Sequence, residues 1–438
     1  MDQLTVIATV VLLGGITLGI TFGLPVAVAM GLPSALAIVV LLGWEGAALT
    51  SAQRVFSGNY SFALLSIPFF ILAGGLMNTG GIATRLIDLA LVIAGRLPAP
   101  LAQTTVVANA MFGAVSGASV ASAAAVGTVL SPRMKKDGYD PAFSAAVNAA
   151  ASPAGMLIPP SNTFIVYALV SSTSIAALFL AGIGPGLLWV IICAVVVALY
   201  ARKNKNLPAA AARPTARQAL VVLLRAIPAL LMIIIVIGGI LTGFFTATES
   251  AVIAVLYSLL LGLAQRTLPL KTLPKVILDA SKTTAIVMLL IGVSSILAWV
   301  LSYARIPQLI TEGLLGLTDN VAVILVLIMV VLLLAGTVMD PTPAILIFTP
   351  IFLPVVTALG VSPIHFGAMM VFNMCLGNIS PPIGNNLFVA ARVAGVRIEP
   401  VIGRLWPFFW ALCVGLFVVT FVPQLSLWLP TAFGLIAP

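Results

Sequence analysis

The sequence predicts an all-α polytopic membrane protein built as an inverted repeat, with two re-entrant hairpins and two broken helices. Three observations predict it. Of 438 residues, 61% are hydrophobic and 7% charged, with a mean hydropathy of +1.23, and a chain this apolar cannot hide its surface in a soluble fold. Apolar runs of about 17 to 25 residues recur, long enough to cross a hydrocarbon core. A pattern of chain breaks also repeats 222 positions later, counted from 132 to 354: Pro132, Gly138, Pro141, Ala146, Gly155, Pro159 and Pro160 fall on Pro354, Gly360, Pro363, Ala368, Gly377, Pro381 and Pro382. All but one of these matches are Gly or Pro, which set backbone geometry rather than fill space. In an apolar chain, Gly/Pro-interrupted segments at matching places in two halves point to a transporter's binding site.

In chain order the spans are read at 4–21, 24–44, 62–78, 141–175, 176–200, 219–243, 246–264, 283–304, 363–391 and 402–426. The stretches 99–131 and 320–357 each hold two shorter apolar arms around a small polar patch, which predicts hairpins whose tips lie at membrane depth. Two amphipathic stretches at corresponding places, 80–97 and 303–318, predict helices lying along the interface or bracing a moving unit. The organisation that follows is 1–98 as first-half scaffold and interfacial arm, 99–175 as first hairpin and broken helix, 176–319 as linking span and second-half scaffold, 320–391 as second hairpin and broken helix, and 392–438 as C-terminal helix.

Charge placement orients the map. Lys and Arg gather on the cytoplasmic side of membrane proteins. Arg133, Lys135 and Lys136 follow the first hairpin; Arg202, Lys203, Lys205, Arg213 and Arg217 cluster near 201–218; Lys271, Lys275 and Lys282 form a third group. Counting crossings puts all three, with Arg392, Arg397 and Arg404, on one side, while 45–61 and 358–363 hold only Arg54. An odd number of crossings separates equivalent positions, so the halves are inverted. The net charge of +9 is thereby spent on orientation, and no basic face is left for a nucleic acid. Cys193, Cys375 and Cys413 are scattered through apolar runs and read as small hydrophobes. The first apolar run has no basic flank or small-residue cleavage site and is expected to be a retained helix.

The tips and breaks carry the chemistry. The first tip offers Ser116, Gly117, Ser119 and Ser122, and the matching break offers Ser161, Asn162 and Thr163. The second tip offers Gly336, Asp340, Thr342 and Thr349, against a break with Asn378, Ser380, Gly384, Asn385 and Asn386. Prolines free carbonyls from helical partners, and oxygen-only clusters of this kind suit a hard cation such as sodium. Half-helix N-termini suit an anionic substrate group. The plain alternative for any one of these residues is close helix packing.

At this point the chain resembles a known family, the large membrane subunit of tripartite ATP-independent periplasmic (TRAP) transporters. The stretches that carry the resemblance are SGASVASAAAVGTVLSPRMKKDGYDPAFSAA, IPPS, FTATESAVIAV, MDPTPAILIFTPIFLPVV, GVSPIHFGAMMVFN and ISPPIGNNLFVA, in the family's order. The resemblance implies an elevator-type, sodium-driven importer in a bacterial inner membrane. Its expected partners are a small four-helix membrane subunit, a periplasmic substrate-binding protein that delivers an organic acid, and membrane lipid. It further implies one sodium site joining Ser116, Gly117 and Ser119 to Pro160 and Ser161, and another joining Gly336, Met339 and Asp340 to Pro382 and Gly384. Substrate contacts are expected from Ser119, Asn162, Thr163, Thr342, Asn385 and Asn386. Asp340 breaks the symmetry, because position 118 is Ala.

Other residues have two readings each. Glu249 in Thr246-Ala-Thr-Glu249 has capping-box spacing, although an intramembrane acid is also a coupling candidate. Asp340 reads as functional or as an N-cap before Pro341. His365, the sole histidine, is expected at the interface, and Arg54 and Arg305 are expected as solvated loop residues or partner contacts. One histidine and scattered acids do not build an enzyme site, and no organic cofactor is expected. A standalone sodium- or proton-coupled dicarboxylate carrier is the rival reading.

Overall fold

The computed structural model describes residues 3–204, 215–318, 320–381 and 384–436. Nearly all of them are helical. The first half contributes α1 (Gln3–Thr21), α2 (Val26–Asn59), α3 (Ser66–Thr79), α4 (Ile82–Ala94), α5 (Pro100–Ser116), α6 (Ser119–Lys136), α7 (Pro141–Ala151), α8 (Ala154–Leu157) and α9 (Asn162–Ser171). A long helix α10 (Ile175–Lys203) leads to the second half: α11 (Ala216–Leu241), α12 (Ala247–Ala264), α13 (Leu273–Tyr303), α14 (Ile306–Leu317), α15 (Val321–Gly336), α16 (Pro341–Ala358), α17 (Pro363–Gly377), α18 (Asn385–Ala394), α19 (Ile398–Phe421) and α20 (Gln424–Ala432). Among the described residues nine helices are long and apolar enough to cross a membrane, or ten if the bent pair Pro141–Leu157 and Asn162–Ser171 counts as one.

The expected hairpins are present. α5 ends where Gly117 adopts φ 63° and α6 begins two residues on, and α15 turns into α16 through Thr337–Asp340. Both expected breaks are present as well; the first bends its helix by 45°. Four expectations change. The second span does not stop at residue 44: α2 bends at Gly43 (φ 75°, ψ 177°) and continues to Asn59, because 45–59 is rich in helix formers. Lys275 and Lys282 lie within α13 rather than in a loop. The last span ends at Phe421, with α20 set apart by Val422 and Pro423. His365 is buried between α17 and the α19–α20 joint, where Nδ1 lies 2.7 Å from Ser426 Oγ and Nε2 lies 3.1 Å from the Thr420 carbonyl. A carbonyl can only accept, so Nε2 carries the proton. Lys205 and Arg213 fall outside the described residues.

The repeat is legible in local geometry. Gly138 (φ 83°) and Gly360 (φ 80°) both end helices in the left-handed region. In each case the next amide reaches back five residues, Tyr139 to the Met134 carbonyl at 3.0 Å and Val361 to the Val356 carbonyl at 2.9 Å, which is the Schellman closure. Pro141 and Pro363 then open the following helices, where the missing amide costs nothing. Asp140 caps α7 through Ala142 N at 3.0 Å and pairs with Arg404 Nε at 2.8 Å, the one ion pair among the described residues.

The two halves interlock. α9 packs on α16 of the second hairpin, and its counterpart α18 packs on α6 of the first; α18 also meets α7, as α9 meets α17. Each hairpin is therefore clamped by the other half's broken helix. Around this body, α2 pairs with α13 and α12 with α3 in a second exchanged arrangement, with α1 on α2 and α11 on α12. α10 packs on α5, α7, α8, α17 and α19, with Trp189 Nε1 donating to the Ala150 carbonyl at 2.8 Å and Gln103 Nε2 donating to the Ala194 carbonyl at 2.8 Å. In lipid, apolar side chains gain nothing by leaving the bilayer, so close packing and internal hydrogen bonds carry this association.

Candidate functional site

Small residues bring each hairpin against its break. A Cβ built on Gly155 would lie 2.2 Å from Gly113 Cα, and one built on Gly377 would lie 2.5 Å from Gly336 Cα. Neither Gly155 nor Gly377 has a left-handed φ. Their repetition in the sequence therefore reflects backbone-to-backbone contact rather than a left-handed backbone conformation. Among the described tip and break glycines only Gly117 is left-handed, and its added Cβ would also meet the Pro160 carbonyl at 3.2 Å and Asn162 Nδ2 at 3.3 Å. The first tip thus touches the first break.

Hydrogen bonds fix the side chains around that contact. Ser161 Oγ donates to the Met156 carbonyl and lies 2.7 Å from Thr163 Oγ1, which reaches the same carbonyl at 3.0 Å. Ser161 is fully buried and caps α9. Ser122 is not directed at the tip: its hydroxyl donates to Asn109 Oδ1 at 2.8 Å, Asn109 Nδ2 donates to Asn148 Oδ1 at 2.9 Å, and Asn148 Nδ2 donates to the Ala123 carbonyl at 2.8 Å. This buried chain of amides holds the two arms of the first hairpin to α7.

At the second tip, Asp340 stands at the N-cap position of α16 without bonding its own helix, and its Oδ1 accepts from Asn385 Nδ2 at 2.6 Å. The carboxylate is bonded across the gap to the start of α18 instead of capping. Gly384 fits only because it has no side chain, since a Cβ would lie 2.8 Å from the Asn378 and Ser380 carbonyls. Asn386 donates its backbone amide to the Asn378 carbonyl at 3.3 Å, while its fully buried side-chain amide has no partner among the described residues. Thr349 and Ser380 are spent within the protein, on Met370 Sδ and the Leu376 carbonyl. Glu249 completes a capping box with Thr246, as its spacing predicts.

The two constellations meet. Asn378 Nδ2, in the second break, donates to Ser119 Oγ, at the first tip, over 3.1 Å. A cavity of about 800 Å³ opens at this junction, and Ser116, Gly117, Ser119, Asn162, Thr163, Asp340, Thr342 and Asn378 all line it. Pro160, Ser161, Gly336, Met339, Gly384, Asn385 and Asn386 support this wall without forming it; Pro382 lies outside the described residues. The helices α6, α9 and α16 of the interlocked body and α2 of the outer wall begin at the cavity, so four positive dipole ends face it. The opposite wall comes from the outer helices and includes Asn78, Asp279 and Thr283. Among the described lining residues the only charges are Asp279 and Asp340. Asp279 escaped the sequence reading because it sits between Lys275 and Lys282, in what read as a solvated loop.

Residues 13–425 match the family described as tripartite ATP-independent periplasmic transporter, DctM component. The chain belongs to this family. It is similar to YgiK of Salmonella typhimurium (46% identical over 435 residues, covering 99% of this chain and 100% of the relative) and to the C4-dicarboxylate TRAP transporter large permease protein DctM of Pseudomonas aeruginosa (41% over 400 residues, covering 91% and 93%). In fold it is similar to the Alcanivorax borkumensis YdaH transporter, with a TM-score of 0.65, coverage of 96% of this chain and 99% of that one, and 16% identity. A DctM component is a multi-pass inner-membrane subunit of a transporter, and the cavity described above lies where its two inverted halves join.

Proposed function

We propose that this DctM component imports an organic acid by sodium-driven elevator motion. The observation that carries the reading is the shared cavity: both hairpin tips, and residues of both breaks, converge on one space between the interlocked body and the outer helices. The expected sodium ions fit the oxygen-rich contacts between tip and break, Gly117 against the Pro160 carbonyl and Asp340 against the start of α18. An anionic substrate group fits the N-termini of α6 and α9, where free backbone amides point outward, while α16, with Pro341 and Pro343 in its first turn, adds its dipole and the Thr342 amide. Asp340 would be neutralised by its sodium ion, so coupling follows from charge: the acid binds well only after the cation has arrived.

The moving unit in this reading is the interlocked body of α5–α9 and α15–α18, with α10 travelling on it; the outer helices stay fixed, and α4 and α14 act as arms. The fixed wall is formed by residues of 25–27, 67–79 and 276–290, so the outer helices line the cavity along much of α3 and the first half of α13. The substrate is handed over by a periplasmic binding protein, and a small four-helix membrane subunit completes the assembly, in keeping with membership of a tripartite family. A carboxylate or sulfonate is the substrate class, supported by the dicarboxylate in the name of the Pseudomonas relative. Co-reconstitution with both partners, followed by uptake of a panel of organic acids with and without a sodium gradient, tests the proposal. Sodium-independent uptake, or uptake by this chain alone, would overturn it.

A further inference from the structure

A second cavity, of about 420 Å³, lies at the seam between arm α4 and the outer helices α11 and α12. Arg85 and Asp88 of α4, Arg225 of α11 and Gln265 at the end of α12 face it, with Leu224 at its rim. Arg85 donates to Gln265 Oε1. Among the described residues neither Arg225 nor Asp88 forms an ion pair. Two guanidiniums against one carboxylate leave the site with one surplus positive charge. Arg225 is exposed nine residues into α11, about 14 Å from the helix start, and its exposed neighbours Leu220, Leu223, Leu224 and Ile227 are apolar. That combination places the cation where headgroups give way to acyl chains. The seam also lies on the side of the basic residues.

We propose that this cavity binds an anionic phospholipid of the cytoplasmic leaflet, its phosphodiester held between Arg225 and Arg85 and its chains lying along the apolar face of α11. Guanidinium forks match phosphate oxygens in pairs, basic pockets between helices on the cytoplasmic side hold lipid headgroups, and the surplus charge is cancelled by a single phosphodiester. Because α4 packs on both α5 and α11, the lipid ties the lead-in helix of the first hairpin to the outer helices.

The test uses the protein purified together with its small membrane subunit, delipidated, and refilled from vesicles of phosphatidylglycerol, phosphatidylethanolamine or mixtures of the two, with retained lipid counted by mass spectrometry. Phosphatidylglycerol is expected to be retained over phosphatidylethanolamine. Arg85→Gln with Arg225→Gln is expected to weaken retention about tenfold, equal to about 1.4 kcal/mol, while Arg397→Gln on another part of the basic side leaves it unchanged. Should the double variant fail to fold, the exposed Arg225→Gln alone reads the same loss. Equal retention of the two lipids, unchanged retention in the Arg225→Gln variant, displacement by millimolar inorganic phosphate, or photocrosslinking from position 225 to the small subunit instead of to lipid would each overturn the proposal.

Discussion

Replacing Gly155 by alanine tests the central contact directly. The new Cβ would lie 2.2 Å from Gly113 Cα, whereas non-bonded carbons rest at about 3.5–4.0 Å. The obstacle is backbone, not the end of a flexible side chain, so α5 and α8 must move apart by about 1.3 Å or more. Overpacking of this kind costs roughly 1–3 kcal/mol. α8 leads into the Pro160 carbonyl that faces Gly117, so the same displacement opens the first tip–break contact. Two measurements are needed at matched protein levels: thermal unfolding of the purified subunit, and uptake against sodium concentration. Gly155→Ala should lower the melting temperature and raise the sodium concentration for half-maximal uptake. The comparison variant is Gly138→Ala, whose Cβ meets open space but whose φ is 83°; strain costs it about 1–2 kcal/mol and should leave the sodium curve alone. A Gly155→Ala protein with wild-type melting and an unchanged sodium curve would show that the two backbones do not touch.

Asp340→Asn keeps the size of the side chain and removes its charge, and a tenfold rise in the sodium needed for half-maximal uptake, about 1.4 kcal/mol, is expected without loss of folded protein, because the carboxylate makes no bond to its own helix; an unchanged sodium curve removes the residue from coupling. Ser119→Ala should act in the same direction but more weakly, since a neutral hydroxyl offers less than a charge-assisted ligand, and the same uptake assay reads it. Gly360→Ala should destabilise by the same amount as Gly138→Ala, since both sit near φ 80° in open space; unequal melting shifts would break the local equivalence of the halves. Single cysteines at positions 136, 203 and 271 should be labelled from the cytoplasm and one at position 360 from the periplasm, and the reverse pattern at 203 would invert the topology.

The class, the repeat, the two hairpins and the two breaks are legible in the amino-acid order alone. The reason is physical: hydropathy reports the solvent that a segment meets, and Gly and Pro report backbone conformation locally. Pro141, Pro363, Gly138 and Gly360 needed no neighbours to be interpretable, nor did the capping box at Thr246 and Glu249. The remaining features depend on which segments touch. Gly155 and Gly377 read as part of a repeated pattern of chain breaks, and only the packing shows Gly113 and Gly336 against them. Asp340 was equally suited to capping α16 or to bonding elsewhere until Asn385 stood 2.6 Å away. His365 looked interfacial because its position near a helix start says nothing of α19 and α20, which bury it. Asn378 belonged by sequence to the second break, yet its amide reaches Ser119 at the first tip. That link, and the presence of Asp279 across the cavity, joins residues far apart in the chain, and the clamping of each hairpin by the other half's helix follows from the same long-range packing, which no local pattern encodes.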